Sequence, residues 1–395
     1  MNGYTFYAPT RVLFGAGKLG ELHAALGAEG LAGKKAMLVI SDGRSVRENG
    51  TLTRVQEQLA QANVAFVLFD KVGANPLKAI VEEGAALART ENCDFVVAVG
   101  GGSVMDAAKV MAMYAPQPGT LWDYVPGATG KMLPLVNSPL PWVAVTTTAG
   151  TGSEVDQWGV VTNPDTNEKI GCGGQDSLFA KIAVVDPELM RTVPPKYTAY
   201  QGFDALFHSV EGYIANARSP MADMVQRAAI EHVGKYLARA VANGTDMEAR
   251  EGMAFANTMS GYSMVVGACT SEHAMEHAMS AFHHNLPHGA GLIMISLAYF
   301  GHWIDRHVCD ERFVEMAKML GMKDAAAPED FLAALQKLQK DCGVDGLKMS
   351  DYGISVEECD ALADNARATM GGLFLSDPAP LSKEECAEIY RRSFR

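Results

Sequence analysis

VVAVGGGSVMDAAK, residues 96–109, runs from an unbroken apolar stretch through three glycines into a segment with helical spacing. An apolar run without alternation is what a strand covered on both faces requires, and such strands belong to parallel sheets. Gly100, Gly101 and Gly102 carry no side chains, so their amides can approach a bulky anion. The helix start beyond them, with Ser103 and Asp106, adds partial positive charge that suits a pyrophosphate. The spacing is not GxGxxG, and a tight structural turn also calls for glycine. The strand–glycine–helix context favours phosphate.

The same grammar extends to either side. AMLVIS (36–41) and VAFVLFD (64–70) are short apolar runs, each followed by a segment with helical periodicity. WVAVTTTAGTGSEV (142–155) and KIAVVDPELM (181–190) continue the series. Strands alternating with helices predict βαβ units and a parallel sheet. Two further features sit at strand ends. Thr147, Thr148, Thr151 and Ser153, beside Gly150 and Gly152, offer hydroxyls and free amides to a ribose or phosphate; a helix cap would use the same residues. Asp42, just after AMLVIS, can accept from adenosine ribose hydroxyls and would repel a 2′-phosphate, favouring NAD over NADP; a turn aspartate is the plainer alternative.

RTVPPKYTAYQ (191–201) interrupts the alternation with Pro194 and Pro195, and beyond it apolar residues recur at three- and four-residue steps. The expectation is two domains: a Rossmann-like dinucleotide-binding α/β domain over 1–191 and an all-α metal-binding domain over 192–395. A length of 395 residues agrees with two cores. The formal net charge of −13 argues against nucleic acid and anionic membranes as partners. No apolar run is long enough to span a bilayer, and the N-terminus lacks signal-peptide character. Seven scattered cysteines without CxxC read as reduced thiols, so a cytoplasmic protein is expected.

The helical half carries the chemistry. Five of the ten histidines fall in SEHAMEHAMSAFHHNLPH (271–288). His273 and His277 stand four apart, as do Asp204 and His208 in GFDALFHSVEGY (202–213), and His288 follows in PHGAG. On a helix that spacing places both side chains on one face. One carboxylate with several imidazoles suits Fe(II), Zn(II) or Ni(II) rather than Mg or Ca. There is no HExxH, which removes the main support for a zinc protease. His23, His232, His302 and His307 stand singly, and His283 and His284 read as loop residues.

Together these motifs resemble the iron-containing (group III) alcohol dehydrogenases. The matching segments are RVLFGAG, GANPL, VAVGGGSVMDAAK, TTTAGTGSEV, VVDPEL, GFDALFHSVEGY, the His-rich stretch with PHGAG, and LSKEECAEIYRRS, in the family's order along almost the whole chain. The resemblance implies a dehydroquinate synthase-like fold. It implies Asp204, His208, His273 and His288 as ligands of Fe(2+), with Zn(2+) as the alternative ion, and His277 beside the substrate as a proton relay. Gly101, Gly102 and Ser103 would hold the pyrophosphate of NAD, with Asn75, Thr147, Thr148, Thr151 and Lys169 nearby. Two departures stand out. The loop between His273 and His288 is about one residue longer than usual, which sets His277 and His284 in competition for a ligand place. SDPAPLS (376–382) replaces the usual Asn-Pro-Arg.

The expected activity is reversible hydride transfer between a short primary alcohol or diol and NAD, in a homo-oligomer, most simply a dimer. A polyol or hydroxy-acid dehydrogenase would keep the ligands and change the pocket, with Trp122, Tyr124 and Trp158 as lining residues. A lyase related to dehydroquinate synthase would need a basic cluster for a phosphorylated substrate, and the site motifs contain none. A non-catalytic metal- and NAD-binding sensor is the rival from another class.

Overall fold

The structure, a computed structural model, describes residues 3–395. The chain divides into two compact units. One comprises Tyr7–Asn163 and Ile170–Thr192; the other comprises Val193–Arg395, residues 164–169 and the described residues up to Phe6. Two short stretches thus leave the continuous division at 191/192 that the sequence suggests.

The α/β unit is built on six parallel strands: β1 (Arg11–Phe14), β2 (Lys35–Ser41), β3 (Ala65–Val72), β4 (Phe95–Gly100), β5 (Trp142–Thr146) and, after a separate two-stranded ribbon of β6 (Trp158–Asn163) and β7 (Glu168–Gly173), β8 (Ile182–Val185). Their spatial order is β1-β8-β5-β4-β2-β3. Every residue of β4 and β5 is buried, as their unbroken apolar sequences require, and they pair Val97 to Val143 and Val99 to Val145. Each such valine contributes about 1.5–3 kcal/mol by leaving water. Five helices belong to this unit: α1 (Leu22–Ala28), α2 (Ser45–Glu48), α3 (Thr51–Gln61), α4 (Lys78–Thr90) and α5 (Gly102–Tyr114). Helices α1 and α3 press Leu22, Leu26, Val55 and Leu59 into one core with Leu38, Val97 and Val143. The ribbon is the element that sequence pattern missed, because strands bounded by NPDT give no apolar run.

From β2 the chain steps outward to β3, then returns to the other side of β2 with β4. That reversal is the topological switch point of an open parallel sheet, where ligands bind beyond the carboxyl ends of the strands. Asp42 follows β2, Asn75 follows β3, Gly101–Ser103 follow β4, and Thr147, Thr148 and Thr151 follow β5. Parallel strands put all of them along one edge.

The helical unit contains α6 (Pro195–Ile214), α7 (Pro220–Ala242), α8 (Met247–Val266), α9 (Ser271–Phe282), α10 (His288–Asp305), α11 (Asp310–Met319), α12 (Asp330–Asp341), α13 (Cys359–Phe374) and α14 (Lys383–Ser393). Pro195 opens α6, where a missing N–H costs nothing. From Thr198 onward nearly every residue of α6 is buried, which makes it the central helix. Phe203, Phe207, Phe300, Phe313 and Phe331 stack edge-on or tilted in its core, with successive centroids 5.4–6.4 Å apart. Two glycines of PHGAG let α10 begin close to its neighbours. A Cβ at Gly289 would lie 2.2 Å from the Tyr200 carbonyl oxygen, and one at Gly291 would lie 2.7 Å from Glu276 Cγ.

Candidate active site

Asp204 and His208 are one turn apart on α6, and His273 and His277 one turn apart on α9. His288 is the first residue of α10, placed there by Pro287 in extended backbone. These helices converge. Asp204 Oδ1 lies 3.3 Å from His208 Nδ1, 3.6 Å from His273 Nε2 and 3.5 Å from His288 Nε2. Donor atoms of Asp204, His273 and His288 all fall within 4.8 Å of one another. His208 joins them through Asp204 and by stacking its ring on that of His273, centroids 4.3 Å apart. His277 stands next to His288, ring centroids 5.4 Å apart. His284 is exposed, and His283 Nε2 lies 3.1 Å from Glu358 Oε1. Neither belongs to a group that could hold a metal ion among the described residues.

Asp204, His208, His273 and His277 are all nearly inaccessible to solvent. Yet Asp204 Oδ1, His208 Nδ1, His273 Nε2 and His277 Nδ1 have no hydrogen-bond partner. A buried polar atom without a partner costs on the order of 1–3 kcal/mol, and several aimed at one point call for a ligand. One carboxylate and three imidazoles fit a borderline divalent cation. Burial works to raise the Asp204 carboxyl, but His208 and His288 beside it hold it well below the usual carboxylate range. Burial pushes His208 down to about 3 and, with help from Lys169, pushes His277 well below its ordinary value. Both rings are therefore neutral near pH 7, the form in which imidazole ligates a metal or takes a proton.

A second set of residues, unmarked in the sequence reading, orients these ligands. His273 Nδ1–H donates to Glu211 Oε1, and His288 Nδ1–H donates to Glu276 Oε2. A carboxylate on the far nitrogen fixes the tautomer, turns Nε2 toward the metal position and strengthens the ligand. Glu211 also accepts from the Thr270 amide and hydroxyl, both at 2.8 Å, so the start of α9 is tied to α6. Asp377, within SDPAPLS, accepts from the Ser271 amide at 2.9 Å and from Tyr299 at 3.1 Å. Burial pushes the Asp377 carboxyl up to about 7. The departure at SDPAPLS thus reaches the helix that carries His273. The signal for Glu211 and Glu276 lay in their spacing, three residues after His208 and after His273.

Lys169 falls in the helical unit, apart from the other residues assigned to the cofactor. Its Nζ donates to Ser280 Oγ at 2.8 Å and to Glu276 Oε2 at 3.2 Å. Burial tends to raise Glu276, but His288 and Lys169 hold its carboxyl below the usual range. The ammonium therefore sits behind His288, through the carboxylate that His288 shares with it.

The sheet-edge residues form a compact cradle of their own. Gly101 caps α5 in extended backbone, leaving the first amides of that helix open. A Cβ on Gly101 would lie 2.8 Å from Thr148 Cγ2, and one on Gly102 would lie 2.3 Å from Thr151 Cγ2. The glycines are required by this approach of the threonine segment to the helix start, whether or not an anion is bound. Thr147 N donates to the Gly100 carbonyl at 2.9 Å and extends the strand contact into the turn. Asp42 is exposed, its amide bonded to Val72 and its carboxylate lying over Gly73. Asn75 holds a left-handed backbone, φ 49°, which asparagine tolerates. Trp122 and Tyr124, expected as pocket-lining aromatics, are buried, with Trp122 Nε1 donating to Thr129 and the Tyr124 hydroxyl to the Pro118 carbonyl. Trp158 alone of the three is exposed.

Residues 9–187 match the iron-containing alcohol dehydrogenase family, and residues 198–394 match the C-terminal domain of the Fe-containing alcohol dehydrogenase family. The chain is 34% identical to a choline dehydrogenase of Bacillus subtilis, over 99% of this chain and 95% of that one. It is 32% identical to the NAD-dependent methanol dehydrogenase of Bacillus methanolicus, over 98% and 99% of the two chains. Among solved structures it superposes on an archaeal halo-thermophilic alcohol dehydrogenase from a Red Sea brine pool with a TM-score of 0.93, at 33% identity and over the whole of both chains. The ligand-bearing helices, the glycine cradle and these likenesses agree: the chain belongs to the iron-containing alcohol dehydrogenase family.

Proposed function

We propose that this protein is a metal-dependent, NAD(H)-linked dehydrogenase that interconverts short primary alcohols or diols with their aldehydes. The observation that carries the reading is the set of buried, unpartnered donor atoms on Asp204, His208 and His273, with His288 completing it. Those four residues hold the ion. When bound, the ion acts as a Lewis acid on the alcohol or carbonyl oxygen and lowers the barrier to hydride transfer. Glu211 and Glu276 keep His273 and His288 turned toward it. His277, neutral and with an open Nδ1, takes up the alcohol proton or returns it to the nascent alkoxide.

NAD belongs to the sheet edge of the α/β unit. Gly101, Gly102 and Ser103 present the amides of α5 to the pyrophosphate, Asp42 accepts from the adenosine ribose, and Asn75, Thr147, Thr148 and Thr151 complete the cradle. Lys169 acts through Glu276, holding the carboxylate that holds His288. Fe(2+) is the native ion by family; Zn(2+) binds such a set more tightly, so air-sensitive activity restored by fresh Fe(2+) under reductant is the mark of iron. The thiols are all unpaired, no helix among the described residues is long and apolar enough to cross a membrane, and we place the enzyme in the cytoplasm as a dimer.

The deciding experiment strips the purified protein of metal and follows NADH oxidation with a panel of short aldehydes, with and without Fe(2+) or Zn(2+). Metal-dependent turnover is expected. Silence across the panel, with NADH and metal both shown to bind, would replace the dehydrogenase with a sensor.

A further inference from the structure

One sulfur lies against the histidine cluster and has no part in the dehydrogenase chemistry. Cys269 sits between α8 and α9, 1% exposed, just before the residue that caps α9. Donor atoms of His208, Cys269 and His273 lie within 4.8 Å of one another, a grouping separate from that of Asp204, His273 and His288. Each imidazole also keeps one buried nitrogen without a hydrogen-bond partner, His208 Nδ1 and His273 Nε2. A second sulfur is at hand, since the Cys269 thiol donates to Met264 Sδ at 3.1 Å. Two nitrogens, a thiol and a thioether form a markedly softer donor set than one carboxylate and three imidazoles.

We propose that His208, His273 and Cys269, with Met264 Sδ as a weak fourth donor, form a thiophilic metal site that overlaps the hard one and takes ions of the Zn(II) and Co(II) class. The inference rests on the metal reading above insofar as two imidazoles are shared. Sharing has a consequence: an ion held by sulfur withdraws His208 and His273 from the hard set, so the two occupancies exclude each other. The soft site is therefore inhibitory, a place where a thiophilic ion displaces the catalytic one. Binding replaces the S–H bond with a metal–sulfur bond and releases one proton to solvent per ion.

Co(II) reads out the ligands directly, because a cobalt–thiolate bond gives an intense near-ultraviolet charge-transfer band that oxygen and nitrogen ligands do not. The full-length apoprotein is titrated anaerobically with Co(II), and bound cobalt is counted separately by elemental analysis. The band is expected in the wild type, retained in Asp204→Asn and His288→Ala, and lost in His208→Ala, Cys269→Ser and Cys269→Ala. Zn(II) affinity in Cys269→Ser should fall at least roughly tenfold, the smallest loss that a mere outer-shell partner brings, while Fe(II)-supported turnover is kept. Bound cobalt without the band overturns the soft site and leaves the dehydrogenase site standing. A band that survives in Cys269→Ser overturns it as well, since another thiol is then responsible. Fe(II) bound as tightly by Asp204→Asn and His288→Ala as by the wild type, with the cobalt band intact, would instead sink the hard site and keep the soft one.

Discussion

Each unit buries a cluster of charges, and the two clusters are built on opposite rules. In the α/β unit Lys109 is 1% exposed, yet its ammonium donates to the Ser153 carbonyl and hydroxyl, both at 2.9 Å, to Asp156 Oδ1 at 2.7 Å and to the Trp158 carbonyl. Asp106 is closed in the same way, accepting from Ser153 Oγ at 2.7 Å and from Val160 N at 3.0 Å. In the helical unit Asp204, His208 and His273 each leave an atom unmet. The first cluster completes itself and fixes the segment that follows the threonine turn. The second leaves donor atoms on neighbouring side chains open, so burial alone does not mark a candidate site; several unmet atoms gathered together do.

The two clusters should differ most in their effect on activity. Asp204→Ala or His273→Ala should abolish stoichiometric metal binding and lower kcat about a thousandfold or more, since the Lewis acid supplies several kcal/mol of transition-state stabilisation. Metal content and turnover check both halves. Stoichiometric metal in either variant would show that the cluster was not the ligand set.

Stability should respond the other way round. Lys109→Met removes the ammonium that faces Asp156 and Asp106, and breaking a buried pair from one side costs about 3–5 kcal/mol. Asp204→Asn in the apoprotein removes a carboxylate whose Oδ1 has no hydrogen bond and which neighbouring imidazoles alone support, so its denaturant midpoint should fall much less than that of Lys109→Met. Equal losses in the two variants would erase the distinction between a closed cluster and an open one.

His277 and the orienting carboxylates separate the roles within the open cluster. Glu276→Gln and Glu211→Gln should weaken metal binding roughly 10–100-fold, as outer-shell partners do, with the fold intact. His277→Ala should keep its metal and lose about 10²–10⁴-fold in turnover, the usual worth of a positioned acid–base. Chelator competition and kcat, measured on the same preparations, distinguish them. Equal metal loss in His277→Ala and His273→Ala would make His277 a ligand instead.

How much of this was legible follows from which contacts are local. The parallel sheet was readable because strands such as FVVAVG declare two-sided burial by themselves, and glycines 101 and 102 because a strand–turn–helix leaves few options. Asp204 with His208, and His273 with His277, were readable as pairs within one helix. Their different fates were not, because spacing is identical and only the approach of α6, α9 and α10 brings His273 onto Asp204 while His277 stays beside His288. Glu211, Glu276 and Cys269 depend on the same approach. The partners of Lys169 were hidden for the complementary reason: its neighbours in sequence are in the ribbon, and its hydrogen bonds are to α9.

The smallest expected effect tests whether the closed cluster is as complete as its hydrogen bonds suggest. Burial pushes the Asp106 carboxyl up to about 6, with Lys109 and Ser153 only partly offsetting it. The folded state therefore holds a proton between about pH 4 and 6 that the unfolded chain has released. Stability from this group rises as pH falls through 6 and stops rising below the unfolded value near 4; above 6 the ionised carboxylate is a cost. Asp106→Asn removes that titration. Relative to the variant, the wild type should gain on the order of 1 kcal/mol between pH 7 and pH 5, read as a difference in denaturant midpoints. A difference that stays flat would mean Lys109 and Ser153 fully compensate the buried carboxylate, and the contrast with the histidine cluster would be sharper still.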